Sequence, residues 1–228
     1  MRKILLSSAI VMAMGTASFA GHAAESASLA VTGTITPASC DVSLSTASLN
    51  FGTVSASTLT NTMNQISADP VTVSVACDSA TAIAVQSVDN RSSSAMTVSE
   101  ITDEMGADMS SAATSIFGLG TDSANGKVGV LLLGINGATL NGTVNNNLLT
   151  STDKANWTAH TLSATSVSSL VNNGYFALGE TADATSPATV TTATYNLTGG
   201  VVLKKADKYP SGEQVNIDGN VTFSIVYL

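Results

Sequence analysis

Cys40 and Cys77 are the side chains best suited to covalent chemistry in this 228-residue sequence. A pair of thiols can close a disulfide, run a redox cycle or hold a metal. The spacing is not C-x-x-C, and no histidine lies near either cysteine in sequence, so a structural disulfide is the simplest reading. Closing that loop would stabilise a fold by about 4 kcal/mol in the chain-entropy account. Other chemistry is sparse. His160 is the one histidine left after cleavage near Ala23, and no G-x-S-x-G elbow accompanies it. Gly118-Leu119-Gly120 has Ser123 where a nucleotide fingerprint has its third glycine. Asp103, Glu104 and Asp108 lack the ligand order and glycine of a calcium loop, and read as a solvated acidic loop. No catalytic residue, metal or cofactor is therefore expected, and the chain does not read as an enzyme. Trp157 and Tyr209 are the candidate stacking residues for a sugar. Lys204, Lys205 and Lys208 beside Tyr209 could meet an anionic glycan, but a solvated loop is the simpler reading.

The compartment suits a disulfide. Arg2 and Lys3 precede an apolar run over residues 4–17, and Ser18-Phe19-Ala20 or Gly21-His22-Ala23 fits a cleavage site. That is the anatomy of a secretory signal over residues 1–23, too short for a spanning helix. Residues 24–228 then form a single exported domain, periplasmic first and then at the cell surface. No integral membrane segment is expected after cleavage. Export leaves Arg91, Lys127, Lys154, Lys204, Lys205 and Lys208 against 16 acids, so the net charge falls below the -8 of the whole chain. Nucleic-acid binding needs a basic surface and is excluded on that ground.

The elements that must position these residues are strands. Only 11% of residues are charged and 4% aromatic. Serine and threonine therefore carry the polarity, and valine, leucine, isoleucine and alanine must fill the core. Leu29, Val31, Gly33 and Ile35 alternate with Ala30, Thr32, Thr34 and Thr36, and Pro37 closes the run. Residues 49–54 form a short extended piece. Val71, Val73 and Val75 alternate into Cys77, and Ile83 and Val85 mark another strand. Residues 99–117 read as a long loop with one or two helical turns. Asn125-Gly126 is a turn, residues 128–135 a strand buried on both faces, and Asn136-Gly137 a second turn. Shorter pieces lie around Leu148 and Trp157 and over residues 175–178. A long strand over 190–203 is interrupted by Gly199-Gly200. In the last strand Val221, Phe223, Ile225 and Tyr227 share one face. Short strands with frequent turns predict an all-β sandwich.

Several of these segments resemble a known family. Leu29-x-Val31-x-Gly33-x-Ile35-x-x-Ala38-x-Cys40 resembles the first strand of chaperone–usher pilins. Residues 49–54, Leu-Asn-Phe-Gly-Thr-Val, resemble a further pilin segment. Cys77 matches the second disulfide strand, and residues 219–228 resemble the terminal strand with its penultimate tyrosine. Closer still, Asp89-Asn90-Arg91-Ser92, Phe117-Gly118-Leu119-Gly120 and Asn125-Gly126-Lys127-Val128-Gly129 are similar to an enterobacterial group of secreted pilin-like proteins of uncharacterised role. The resemblance implies an immunoglobulin-like, pilin-type sandwich that lacks its last strand, with a disulfide between Cys40 and Cys77. It implies a fimbrial subunit assembled by donor-strand exchange. The partners would be a periplasmic pilus chaperone, an usher and neighbouring pilin subunits. Val221, Phe223, Ile225 and Tyr227 would line the chaperone and donor-strand groove.

Two departures qualify the resemblance. Residues 21–28, ahead of Leu29, offer only alanines as apolar donors, and Val215 stands where pilins often carry a glycine. The short leader suggests a terminal subunit that receives a strand and donates none, or a monomeric relative. Residues 29–35 could themselves be the donor, but Cys40 would then sit too near the beginning of its strand. The alternative function is an autonomous adhesin-like binding module.

Overall fold

Alternation makes a strand only where a neighbouring edge accepts its backbone hydrogen bonds. The computed structural model describes residues 28–228, and the expected signal sequence lies outside the described residues. The chain divides into two units, Met1–Thr36 and Pro37–Leu228. Within the first, residues 28–36 carry no strand, contrary to the expectation for residues 29–36. Leu29 and Val31 are each 88% exposed and Ile35 is 99% exposed. The pattern specifies which side chains would share a face, and among the described residues it carries no strand pairing.

The second unit is an antiparallel, all-β, sandwich-like fold. Its strands are β1 (Cys40–Leu44), β2 (Asn64–Ser67), β3 (Val71–Asp89), β4 (Gly129–Leu140), β5 (Thr143–Val144), β6 (Asn147–Ser151), β7 (Thr158–Thr161), β8 (Ser168–Ser169), β9 (Tyr175–Leu178), β10 (Thr189–Leu203) and β11 (Val221–Tyr227). One sheet runs β1, the first half of β3, β10, β4 and β5, with β2 beside the end of β10 and β8 beside β4. The other runs β11, the second half of β3, β9, β6 and β7. The two strands expected around Cys77 and Ile83 are thus one, and β3 belongs to both sheets. Cys40 pairs with Cys77 in register, and the two are joined by a disulfide.

The core is aliphatic, as the composition requires. Val73, Val75, Ile83 and Val85 from β3 meet Ile135, Leu148, Leu178, Val190 and Val201. Tyr195 stands edge-on to Phe176, with ring centroids 4.9 Å apart. Burial raises the Tyr195 phenol pKa, and its hydroxyl has no hydrogen-bond partner among the described residues. Gly199-Gly200 does not interrupt β10. A Cβ at Gly200 would lie 2.6 Å from the Ile66 carbonyl oxygen, so the glycine permits β2 to approach. Asn136-Gly137 is not a turn either. Ile135 and Gly137 pair with the adjacent Leu197 and Asn196, which makes Asn136 the extra residue of a bulge. The turn comes at Asn141-Gly142, both at positive φ, joining β4 to β5.

A helix, α1 (Val98–Met105), explains why β4 is apolar on both faces. Ile101 and Met105 pack with Met96 and Ile116 on Val130 and Val202, while Leu131 and Leu133 join the main core. Thr97 and Glu100 form a reciprocal capping box, and Gly106 ends the helix at φ 64°. Glu104 and Lys204 correct the solvated-loop readings. Lys204 is only 2% exposed, its Nζ is 2.9 Å from Glu104 Oε2, and it lies over the Tyr209 ring. Among the described residues no helix is long and apolar enough to cross a membrane.

The Lys127 ammonium, 2.7 Å from Glu100 Oε2, and the Thr97 backbone N–H hold the Glu100 carboxyl below its ordinary pKa of 4.5. A depressed folded pKa contributes stability above the unfolded value and loses it as pH falls through the folded one. Glu100→Gln is therefore expected to flatten the acid limb of stability against pH, read from urea midpoints between neutral and acidic buffers. An unchanged acid limb would show that the pair contributes nothing.

Candidate functional site: an open apolar groove

β11 pairs with β3 along its whole length, Val221 with Asp89 through Tyr227 with Ile83. Among the described residues its other edge has no strand partner. The same holds for β1, which pairs only with β3. Each is the last strand of its sheet on the same side of the sandwich, and the segments that continue from them do not close the gap. Residues 46–54, after β1, and residues 209–220, before β11, contain no strand. Their amides find few and mostly local acceptors. Gly52 donates to Asn50 Oδ1, and Asp218 donates to the Leu119 carbonyl.

Between these segments lies a groove of about 1270 Å³. Leu44, Leu49, Phe51 and Val54 form one wall, and Val215, Ile217, Val221 and Phe223 form the other. Leu119, Leu131, Leu133 and Leu197 form the floor. Apolar side chains in register on an unpaired edge would drive aggregation unless something covers them. Chemically, the groove can receive an extended strand. Backbone hydrogen bonds would go to the open edge, and alternate apolar side chains would go to the floor.

The four residues expected to line the groove separate in the structure. Val221 and Phe223 line it, and Phe223 stands edge-on to Phe176 with centroids 6.2 Å apart. Ile225 is half-buried against the main core and is not part of the groove lining. Tyr227 is 51% exposed, and its hydroxyl accepts a hydrogen bond from the Cys40 backbone N–H at 2.8 Å, tying the end of β11 to the start of β1. Val215, Ile217, Leu49, Phe51 and Val54 were not expected in the site as partner-binding residues. The alternation of Val215 with Ile217 was the available signal.

Residues 29–35 are free of β1. Cys40 is the first residue of β1, so a disulfide at the very beginning of the strand is what this fold has. Residues 29–35 are then not needed to build β1.

The remaining candidates each bond within the fold. Tyr209 donates to the Val128 carbonyl at 2.7 Å and accepts from the Lys204 N–H at 2.9 Å, so it is committed within the fold. Burial pushes its phenol up to about 12. His160 lies on β7 and bonds Thr150 Oγ1 through Nε2. The Trp157 indole N–H donates to the Lys154 carbonyl. Among the described residues no group of three His, Cys, Asp or Glu could hold a metal.

Residues 29–131 match the family described as Protein of unknown function (DUF1120). The match takes in the exposed alternating segment, β1, β2, β3, α1 and the start of β4. No curated protein and no solved structure matches the chain.

Proposed function

We propose that this chain is a fimbrial subunit, exported to the periplasm and assembled by donor-strand exchange. Its groove accepts first a strand from a periplasmic chaperone and then, at an usher, residues 29–35 of a neighbouring copy. The observation that carries this reading is the unclosed apolar groove beside the unpaired edge of β11. A monomer that worked alone would gain by covering that surface. The exposed run of Leu29, Val31 and Ile35 supports the second half of the reading. Each side chain contributes about 1.5–3 kcal/mol when fully buried. Gly33 occupies the same-face position between Val31 and Ile35 and adds no bulk there. With this segment as donor, the chain carries both parts of a polymer joint.

The test is periplasmic expression of the full precursor with and without a pilus chaperone, followed by soluble yield and native mass. Accumulation only as a one-to-one chaperone complex is expected. A stable monomer that unfolds cooperatively without any chaperone would end the strand-exchange reading.

A further inference from the structure

A second cavity shares no residue with the groove and stands independently of the assembly reading. It is a cleft of about 220 Å³ where the ends of β6 and β8 meet the starts of β7 and β9. Leu170, Val171 and Phe176 line its bottom, where Leu170 and Phe176 are core residues only 2% and 1% exposed. Its rim is polar and largely uncharged, with the hydroxyls of Thr150, Thr158 and Ser169 among others. Asp153 and Asn156 lie on the rim.

The loop between β6 and β7 is built around the Asp153 carboxylate. Oδ1 accepts from the Ala155 N–H at 2.9 Å, the Asn156 N–H at 2.8 Å and Ser151 Oγ at 3.1 Å. Oδ2 accepts only the Asn156 side-chain amide, at 2.7 Å. Oδ2 thus keeps acceptor capacity that Oδ1 has used, and the Asn156 side-chain carbonyl oxygen is a second acceptor beside it. The hydrogen bonds from Asn156 and Ala155 hold the Asp153 carboxyl well below its ordinary pKa, so it is an anion throughout the physiological range. Lys154, the cation of this loop, is drawn over the Tyr175 ring at 5.7 Å.

Three ligand classes fit poorly. N–H groups aimed at both carboxylate oxygens oppose a metal ion. A fixed carboxylate opposes phosphate, sulfate or an acidic sugar. A rim of hydroxyls opposes a purely apolar guest. A neutral sugar matches both halves of the cleft. One face of a pyranose ring presents C–H groups to an apolar floor, and its hydroxyls donate to carboxylate and amide oxygens while exchanging bonds with the Ser and Thr rim.

We propose that this cleft binds one ring of a neutral carbohydrate, with Asp153 and Asn156 accepting from adjacent sugar hydroxyls. The probes are D-mannose, D-galactose and N-acetyl-D-glucosamine, with N-acetylneuraminate as the anionic comparison. Saturation-transfer NMR on the full chain, as the purified chaperone complex or free, reads binding in either state. At least one neutral sugar is expected to give a saturable signal by about 10 mM. Its affinity is expected to fall about tenfold or more in Asp153→Asn, on loss of a charged acceptor. Asn156→Ala leaves the backbone bonds of Asp153 in place, and it should weaken binding while the melting temperature holds. No saturable signal from any neutral sugar, a signal undiminished in both variants, or equal binding of N-acetylneuraminate would overturn the assignment.

Discussion

Under the proposed strand exchange, chains carrying both Val31→Asp and Ile35→Asp are expected to fold and to bind a pilus chaperone as the parent would, yet to fail to polymerise. Both side chains are exposed, at 88% and 99%, so a carboxylate at either position costs the isolated fold nothing. In the proposed joint the same side chains face leucines of a neighbour's groove floor. Losing two apolar anchors, each worth about 1.5–3 kcal/mol, lowers association about 100-fold or more before any cost of burying charge. Ile217→Asp is the complementary change. It places a charge on the groove wall and leaves residues 29–35 able to donate. Each variant alone is expected to stay unpolymerised on release from the chaperone. Mixed together they should form one-to-one pairs and no longer chains, because one can only accept and the other can only donate. Light scattering after size exclusion distinguishes these outcomes. Chains of parental length from the Val31/Ile35 double variant would exclude residues 29–35 as the donor.

That prediction depends on a segment whose pattern was legible and whose state was not. Leu29, Val31 and Ile35 alternate as cleanly as Val71, Val73 and Val75, but only the second set finds an edge on β10. Periodicity encodes which side chains share a face, and it carries no information about pairing partners. The reverse happened around Cys77. Hydrophobicity lapses over residues 78–80 because β3 is crossing between sheets there, yet its backbone runs on unbroken. Polar Asn-Gly dipeptides were equally ambiguous. Asn136-Gly137 bulges within β4, whereas Asn141-Gly142 turns the chain.

The groove was half legible. Val221 and Phe223 lie where the alternation of the last strand put them. Tyr227 obeys the same alternation, but it has reached Cys40 at the far end of β11. The walls contributed by residues 46–54 and 209–220 are irregular, and the brief alternation of Val215 with Ile217 is too short to announce a strand. Lys204 illustrates a different limit. In sequence it belongs to a lysine-rich loop, and only the tertiary meeting with Glu104 and Tyr209 makes a buried lysine tolerable.

Removing the disulfide is expected to cost the fold about 2–5 kcal/mol, a large part of the roughly 5–15 kcal/mol by which domains of this kind are stable. The effect should be concentrated at one wall of the groove. β1 is five residues long, and its pairing with β3 opens at the bonded cysteines. A strand that short, held on one side only, has few backbone bonds with which to keep its place. Without the covalent tie, the Cys40 N–H bond to the Tyr227 hydroxyl and the Ser39 N–H bond to Asp78 Oδ1 are the side-chain contacts left to secure its start. Residues 46–54 follow β1 directly and carry Leu49, Phe51 and Val54 into the groove wall. The Cys40→Ala/Cys77→Ala variant should therefore show a lower urea midpoint, and faster amide exchange in β1 and residues 46–54 than in β6 or β9. A dithiothreitol-treated parent should reproduce both effects. A variant midpoint equivalent to less than about 0.5 kcal/mol of loss, within the range of a neutral surface change, would mean that β1 is held by its packing alone. Fast exchange spread evenly over both sheets would mean that the bond supports the sandwich as a whole and not the groove wall in particular. On the proposed assembly, the expected outcome makes the Cys40–Cys77 bond a condition of strand insertion as well as of folding. A reduced chain would present an acceptor groove with one wall loose, and strand insertion would have to order that wall before gaining any contact from it.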